Sequence, residues 1–168
     1  MSILLDTDVL SGFAKIGGLG LINELFSSEE MLITNGVYEE LVYIKESGYG
    51  FVDQIFTFAK NTPMRGDELN IYHSFMEHTN LGKGELQCIA VCIVRNYPFI
   101  TNDRKAKNFA SAKGVLTWDI PDILKALWVA GIKSKEEVAI LMRMLEQKDL
   151  MVIKNKNQIL KSAIDSTI

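Results

Sequence analysis

The chain has 168 residues, 48% of them hydrophobic, and a net charge of −3. That length suffices for one domain with a proper core, and the near-neutral balance excludes a global positive field, so any polyanion binding must use local basic patches or a bound metal. No apolar run approaches the roughly 20 residues of a membrane span, and the N-terminus lacks the basic start and apolar core of a secretory signal, so the expectation is a cytoplasmic protein with no membrane association.

Ile3-Leu4-Leu5 runs into Asp6, which predicts a buried strand over residues 2–6. Helices are expected at 8–14 and 19–26, broken by Gly17-Gly18. A second strand at 31–34 leads to Asn35, read as the cap of a helix that starts near Gly36 and carries Glu39 and Glu40 in its early turns. From residue 48 to 80 the pattern loosens around Pro63 and Gly66, with a helix over 67–77. After Leu81-Gly82-Lys83-Gly84, residues Leu86, Ile89, Ala90 and Ile93 recur at helical spacing within 85–94. A strand at 97–101, a helix at Arg104–Ala112 and a strand at 115–118 follow. A helix at 122–130 stops at Gly131, and Ser134 with Glu137 forms a capping box for a helix to about residue 147. Residues 151–153 read as a short strand before a lysine-bearing terminal helix. Strands alternating with helices predict an α/β fold, a central parallel sheet flanked by helices as an α/β/α sandwich.

Asp6, Glu40, Glu85 and Asp103 each fall where an apolar stretch gives way to a helical pattern. Asp6 and Asp103 read as residues at the carboxyl ends of parallel strands, where open α/β sheets form their ligand crevice. Carboxylates gathered there repel one another and need a divalent cation, and hard oxygen donors favour Mg²⁺ or Mn²⁺. The plainer alternative is capping, because acids favour the first helical turn through hydrogen bonds and the helix dipole. Arg104, Lys105 and Lys107 beside Asp103, and Lys83 before Glu85, are candidate phosphate contacts. Lys154, Lys156 and Lys161 form a second basic group, read as a solvated face. Cys88 and Cys92 have no Cys or His beside them to complete a metal site and read as buried thiols. His73 and His78 miss the spacing of a helical ligand pair and read as surface or packing residues.

Four segments carry a family resemblance: Leu4-Leu5-Asp6-Thr7-Asp8-Val9-Leu10, Val37-Tyr38-Glu39-Glu40-Leu41, Leu81-Gly82-Lys83-Gly84-Glu85-Leu86-Gln87 and Ile100-Thr101-Asn102-Asp103-Arg104-Lys105-Ala106. Their order and context over about residues 2–130 resemble PIN domains, most of all the branch with a Leu-x-x-Gly-Glu motif related to the VapC toxins of toxin–antitoxin pairs. The resemblance implies a single PIN-like domain over residues 1–168, with 131–168 a C-terminal helical extension. It implies a metal-dependent endoribonuclease that uses Mg²⁺ or Mn²⁺ to hydrolyse RNA phosphodiester bonds, in the role of a toxin. Asp6, Glu40, Glu85 and Asp103 then become catalytic, with Asp6, Glu85 and Asp103 as metal ligands. Thr7, Thr101 and Asp119 become outer-shell residues, and Lys83, Arg104, Lys105 and Lys107 contact the RNA.

The implied partners are an RNA substrate, an antitoxin protein and a second copy of the chain in a homodimer. Ile140, Leu141, Met142, Met144 and Leu145 form an apolar stripe, read as core with self-association or an antitoxin groove as the alternative. The related branch often carries acids where this chain has Gln87 and Asn102, which counts against a second metal. Two rival readings stay open. Asp6-Thr7-Asp8 mimics the acid pair of haloacid-dehalogenase-like phosphatases, and the missing acids at 87 and 102 suit a catalytically inactive PIN scaffold for RNA or protein binding.

Overall fold

Every residue of β1 (Ser2–Leu5) is buried, the signature of a parallel strand covered on both faces. The computed structural model, which describes residues 1–161, places β1 at the centre of a five-stranded sheet. It pairs on one side with β2 (Glu30–Ile33), which pairs with β3 (Lys60–Asn61), and on the other with β4 (Phe99–Ile100), which pairs with β5 (Thr117–Trp118). All pairings are parallel, with Leu4 opposite Leu32 and Phe99. The order β3-β2-β1-β4-β5 reverses direction between β1 and β4. A crevice opens at such a switch point, beyond the carboxyl ends of the two strands, where Asp6 and Asp103 stand.

Between the strands lie α1 (Thr7–Lys15) and α2 (Leu19–Leu25), then α3 (Asn35–Glu46) and α4 (Val52–Phe58), then α5 (Gly66–Met76) and α6 (Lys83–Arg95), then α7 (Arg104–Ala112). After β5 come α8 (Ile120–Val129), α9 (Lys135–Lys148) and the single-turn α10 (Lys156–Ile159). Helix α6 packs on β1 and β4, and α1 packs on α4 and α9. The capping box of Ser134 and Glu137 starts α9, with Glu137 N–H donating to Ser134 Oγ at 3.1 Å.

Several expectations need correction. Thr34, not Asn35, is the residue before α3, and its hydroxyl faces Cys88 Sγ at 3.6 Å instead of capping the helix. The loosely patterned stretch holds α4 and β3 besides α5. Residues 151–153 form no strand: Leu150 turns the chain with φ 54, and Met151, Val152 and Ile153 line a groove with Asn102 and Asp119 instead. Met142 is only 2% exposed and joins Val138 and Leu145 in the main core, where α9 meets α1 and α8. Its part of the apolar stripe is therefore core, in line with the first reading of that stripe, and the self-association alternative fails for it. The terminal helix is confined to α10 within the described residues, and the end of the expected extension lies outside them.

One buried ion pair fixes α5 to α6. Glu68, 0% exposed, accepts from Arg95 Nε at 2.5 Å and Nη2 at 2.8 Å, while Arg95 also donates to Thr62 Oγ1 and to the Pro63 carbonyl. Guanidinium and carboxylate meet in the fork geometry that suits a desolvated pair. Cys88 and Cys92 are buried thiols on α6, and His73 and His78 are exposed. Among the described residues no helix is long and apolar enough to cross a membrane.

Candidate metal centre

Asp6 leaves β1 with extended dihedrals and becomes the cap of α1. Its Oδ1 accepts from Thr7 N–H at 2.8 Å, and its Oδ2 accepts from the Thr101 hydroxyl at 2.9 Å. Burial first, and then the Glu85 carboxylate, push the Asp6 carboxyl up to about 7, against the hydrogen bonds from Thr101 and Thr7 that favour its anion. Thr101, itself buried at the end of β4, also accepts the Asp103 N–H at 3.2 Å. One hydroxyl thus ties the first acid to the backbone of the fourth.

Asp103 caps α7, its Oδ1 accepting from Ala106 N–H at 2.8 Å. Glu85 stands in the first turn of α6, where its Oε2 accepts from Gly82 N–H at 2.8 Å. Burial raises the Glu85 pKa; the Gly82 bond opposes this, and the charges of Asp103, Glu40 and Asp8 raise it further. Glu40, from α3, accepts the Thr7 hydroxyl, and its Oε1 lies over Gly84, where a Cβ would come within 2.8 Å of it. Thr7 therefore bridges Asp6 and Glu40.

The fold brings Asp6, Glu40, Glu85 and Asp103 into one electrostatic neighbourhood: the charges of Asp103 and Glu40 act on Glu85, and that of Glu85 acts on Asp6. Capping and convergence coexist. Asp6 and Asp103 are true helix caps, yet caps alone do not require four acids from four parts of the chain to share one crevice. Among the described residues no three His, Cys, Asp or Glu side chains form a ready-made metal cage. The donor chemistry still fits a hard divalent cation: all the donors are oxygens, and each carboxylate oxygen keeps lone-pair capacity beyond its one hydrogen bond.

Asp8 is a residue that the sequence reading missed for this centre. It stands in the first turn of α1, and its pKa is raised by desolvation, then by the charges of Asp149 and Asp103, with Lys15 opposing. The spacing Asp6-x-Asp8 at a helix start was the available signal.

The other predicted residues scatter. Asp119 caps α8 in a reciprocal box with Asp122, and Lys107 bonds both carboxylates at 2.6 Å. Lys83 pairs with Glu39 at 2.6 Å on the surface, whereas Arg104 and Lys105 are exposed on α7. Gln87 has a structural task, its Oε1 accepting Gly36 N–H at 2.7 Å and so joining α6 to the start of α3. Asn102 lines a groove with Arg104 and the segment after α9.

The sequence matches the family profile of DUF3368, a PIN domain, over residues 2–165. The chain belongs to the PIN-domain family, which displaces the haloacid-dehalogenase-like alternative. Three solved structures share the fold. A structure of VapBC2 from Rickettsia felis bound to a DNA fragment from its promoter aligns with TM-score 0.57 at 14% identity, covering 71% of this chain and 98% of that chain. VapBC-1 from nontypeable Haemophilus influenzae aligns with TM-score 0.56 at 15% identity, covering 71% and 98%. A PilT N-terminus domain protein from the archaeon Sulfolobus solfataricus P2 aligns with TM-score 0.53 at 16% identity, covering 79% and 96%. No curated protein matches the chain in sequence.

Proposed function

We propose that this protein is a cytoplasmic, metal-dependent endoribonuclease of the VapC kind that hydrolyses RNA phosphodiester bonds and serves as the toxin of a toxin–antitoxin pair. The observation that carries this reading is the meeting of Asp6, Glu40, Glu85 and Asp103 at the switch point of a PIN-domain sheet. Asp6, Glu85 and Asp103 are the proposed ligands of Mg²⁺ or Mn²⁺. Bound there, the ion would supply the positive charge that phosphodiester hydrolysis needs and make a water more acidic.

The chain's own groups do the rest. Thr101 and Thr7 fix the orientation of the Asp6 carboxylate through its two oxygens, and Thr7 also fixes Glu40 through Oε2. The Oε1 of Glu40 is the atom proposed to take a proton from the attacking water. Arg104 and Lys105 are the proposed phosphate contacts. Lys107 and Lys83 would first have to leave their carboxylate partners, so they rank behind the other two. Asp119 becomes a cap and a lysine partner in this scheme. An antitoxin and a second copy of the chain are the proposed partners, by analogy with VapBC proteins.

The test is cleavage of a pooled RNA substrate with and without Mn²⁺, beside the Asp6→Asn variant. Metal-dependent cleavage by the wild type alone supports the proposal. Metal binding without cleavage of any RNA would return the protein to the inactive-scaffold reading.

A further inference from the structure

A cavity of about 260 Å³ adjoins the acidic centre, lined by Asp8, Ser11 and Lys15 of α1, by Tyr49 and Phe51 before α4, and by Asp149 after α9. Ile44 is a wall of this cavity and of the cleft that holds Thr7 and Glu40. The volume is below the roughly 300–1,000 Å³ of pockets for drug-sized ligands, so it suits one small ring system.

Three features of the lining call for a ligand. Ser11 is 7% exposed, and its hydroxyl has no hydrogen-bond partner among the described residues. A serine inside a helix ordinarily bonds a carbonyl one turn back, and a buried polar group left unpaired needs an explanation. Tyr49 is 57% exposed, with its ring centroid 6.0 Å from that of Phe51. Aromatic rings left at the mouth of a cavity are the stacking platform that single-stranded nucleic acid uses. Finally, Lys15 pairs with Asp149 at 2.5 Å while its ammonium lies 5.3 Å from the Phe51 centroid. The cavity thus offers a donor directly beside carboxylate acceptors.

That pattern selects among the bases. Guanine presents the acceptor O6 beside two adjacent donors, the ring N1–H and the 2-amino group. Cytosine and adenine each offer an amino group next to an acceptor nitrogen, and uracil offers one N–H between two carbonyls. Only guanine meets a carboxylate with two parallel N–H groups and a lysine with a carbonyl. Two carboxylates against one lysine also make the cavity unfavourable for a phosphate. A base enters, and the backbone stays outside.

We propose that this cavity is a base-recognition subsite that takes a guanine of the single-stranded RNA substrate, read by Asp149, Lys15 and Ser11 and stacked on Tyr49 and Phe51. The proposal rests on the ribonuclease reading for its substrate, and the experiment separates the two.

Metal-free protein in chelator is titrated with labelled RNA pentamers, UUGUU against UUUUU, for the wild type, Asp149→Asn and Tyr49→Ala. The guanine pentamer is expected to bind on the order of tenfold tighter; Asp149→Asn is expected to lower it to the all-uracil level without weakening UUUUU, whereas Tyr49→Ala is expected to weaken both pentamers, because every base stacks. In the second arm, fragment ends from a randomised RNA pool cut with Mn²⁺ are sequenced, and guanine enrichment at one fixed position should vanish in Asp149→Asn. If Asp149→Asn does not fold, Ser11→Ala, which removes a hydroxyl that bonds nothing among the described residues, takes its place in both arms. Equal binding of the two pentamers overturns the subsite, as does displacement by an arginine tripeptide with no base preference, which would mark a protein-binding cavity. An uncut pool with guanine preference intact defeats the ribonuclease reading and leaves the subsite standing. Cleavage without base preference does the reverse.

Discussion

Gly36 and Gly84 bring α3 and α6 together backbone to backbone: a Cβ on Gly36 would lie 2.8 Å from the Gly84 Cα and 2.9 Å from its nitrogen. The same approach places Glu40 of α3 above α6, one residue before Glu85, and it is closed by the bond from Gly36 N–H to Gln87. Two helices that carry acids can sit this close only where neither has a side chain in the way.

Gly36→Ala should therefore push rigid backbone apart, destabilising the fold by about 1–3 kcal/mol as overpacking does and abolishing metal-dependent cleavage. Gly84→Ala meets the end of the Glu40 side chain, which can swing aside, so it should melt closer to wild type while still losing cleavage. Equal melting temperatures for wild type and Gly36→Ala would refute the close-approach argument.

Asp6 should make the metal-free protein less stable as pH rises. Its carboxyl titrates near 7 in the fold against an ordinary 3.8, so between those values the native state holds a proton that the unfolded chain has released. Stability must then fall as pH climbs from about 4 to about 7, by an amount on the order of a few kcal/mol. Thermal melts at pH 5 and pH 8 check this, and Asp6→Asn should flatten the difference. Mn²⁺ at about one hundred times its dissociation constant should add about 2.7 kcal/mol to the wild type and far less to the variant. Identical Mn²⁺-induced shifts in both would remove Asp6 from the ligand set.

Replacing Arg104 and Lys105 together should weaken RNA binding and flatten its salt dependence, by about 0.7 in log–log slope for every phosphate of a single strand that the variant no longer neutralises. Adding Lys107→Ala should change the slope little and the melting temperature more, since Lys107 joins two carboxylates. Slopes measured by fluorescence anisotropy across a salt series decide between them.

Glu68→Gln should cost about 3–5 kcal/mol by leaving the Arg95 guanidinium without its charge partner. The double variant Glu68→Gln with Arg95→Met should recover part of that loss in chemical denaturation. A loss no smaller in the double variant would show that the pair contributes through packing alone.

Met142→Ala should destabilise by about 2–5 kcal/mol, as large-to-small changes in a core do, without altering the oligomeric state. Ile140→Asp, on the exposed side of the same helix, should leave stability near wild type. Light scattering beside the melts would expose the error if Met142→Ala produced a folded monomer from a dimer.

The placement of Asp6 and Asp103 at the ends of neighbouring strands was legible because both follow strongly patterned segments, Ile3-Leu4-Leu5 before Asp6 and Phe99-Ile100-Thr101 before Asp103. The capping box of Ser134 and Glu137 was legible for the same reason, since its chemistry is local. What escaped depends on distant parts of the chain. Lys60 and Asn61 are a strand only because β2 lies beside them, and both are exposed, so no apolar alternation marks them. Propensity favours Asn35 over Thr34 as the cap of α3, whereas Asn35 Oδ1 is taken by Asn61 Nδ2 at 2.8 Å. The role of Gln87 was hidden in the same way, because its partner is a backbone N–H on another helix. Met142 and Ile140 are two positions apart, and only the packing of α9 on α1 shows which of them faces inward.

The outermost strands, β3 and β5, are each two residues long. Both rims of the sheet consequently present almost no row of unpaired backbone donors and acceptors onto which another polypeptide might zip. The antitoxin proposed above would have to grasp side chains on helices and loops, with no extra strand to contribute.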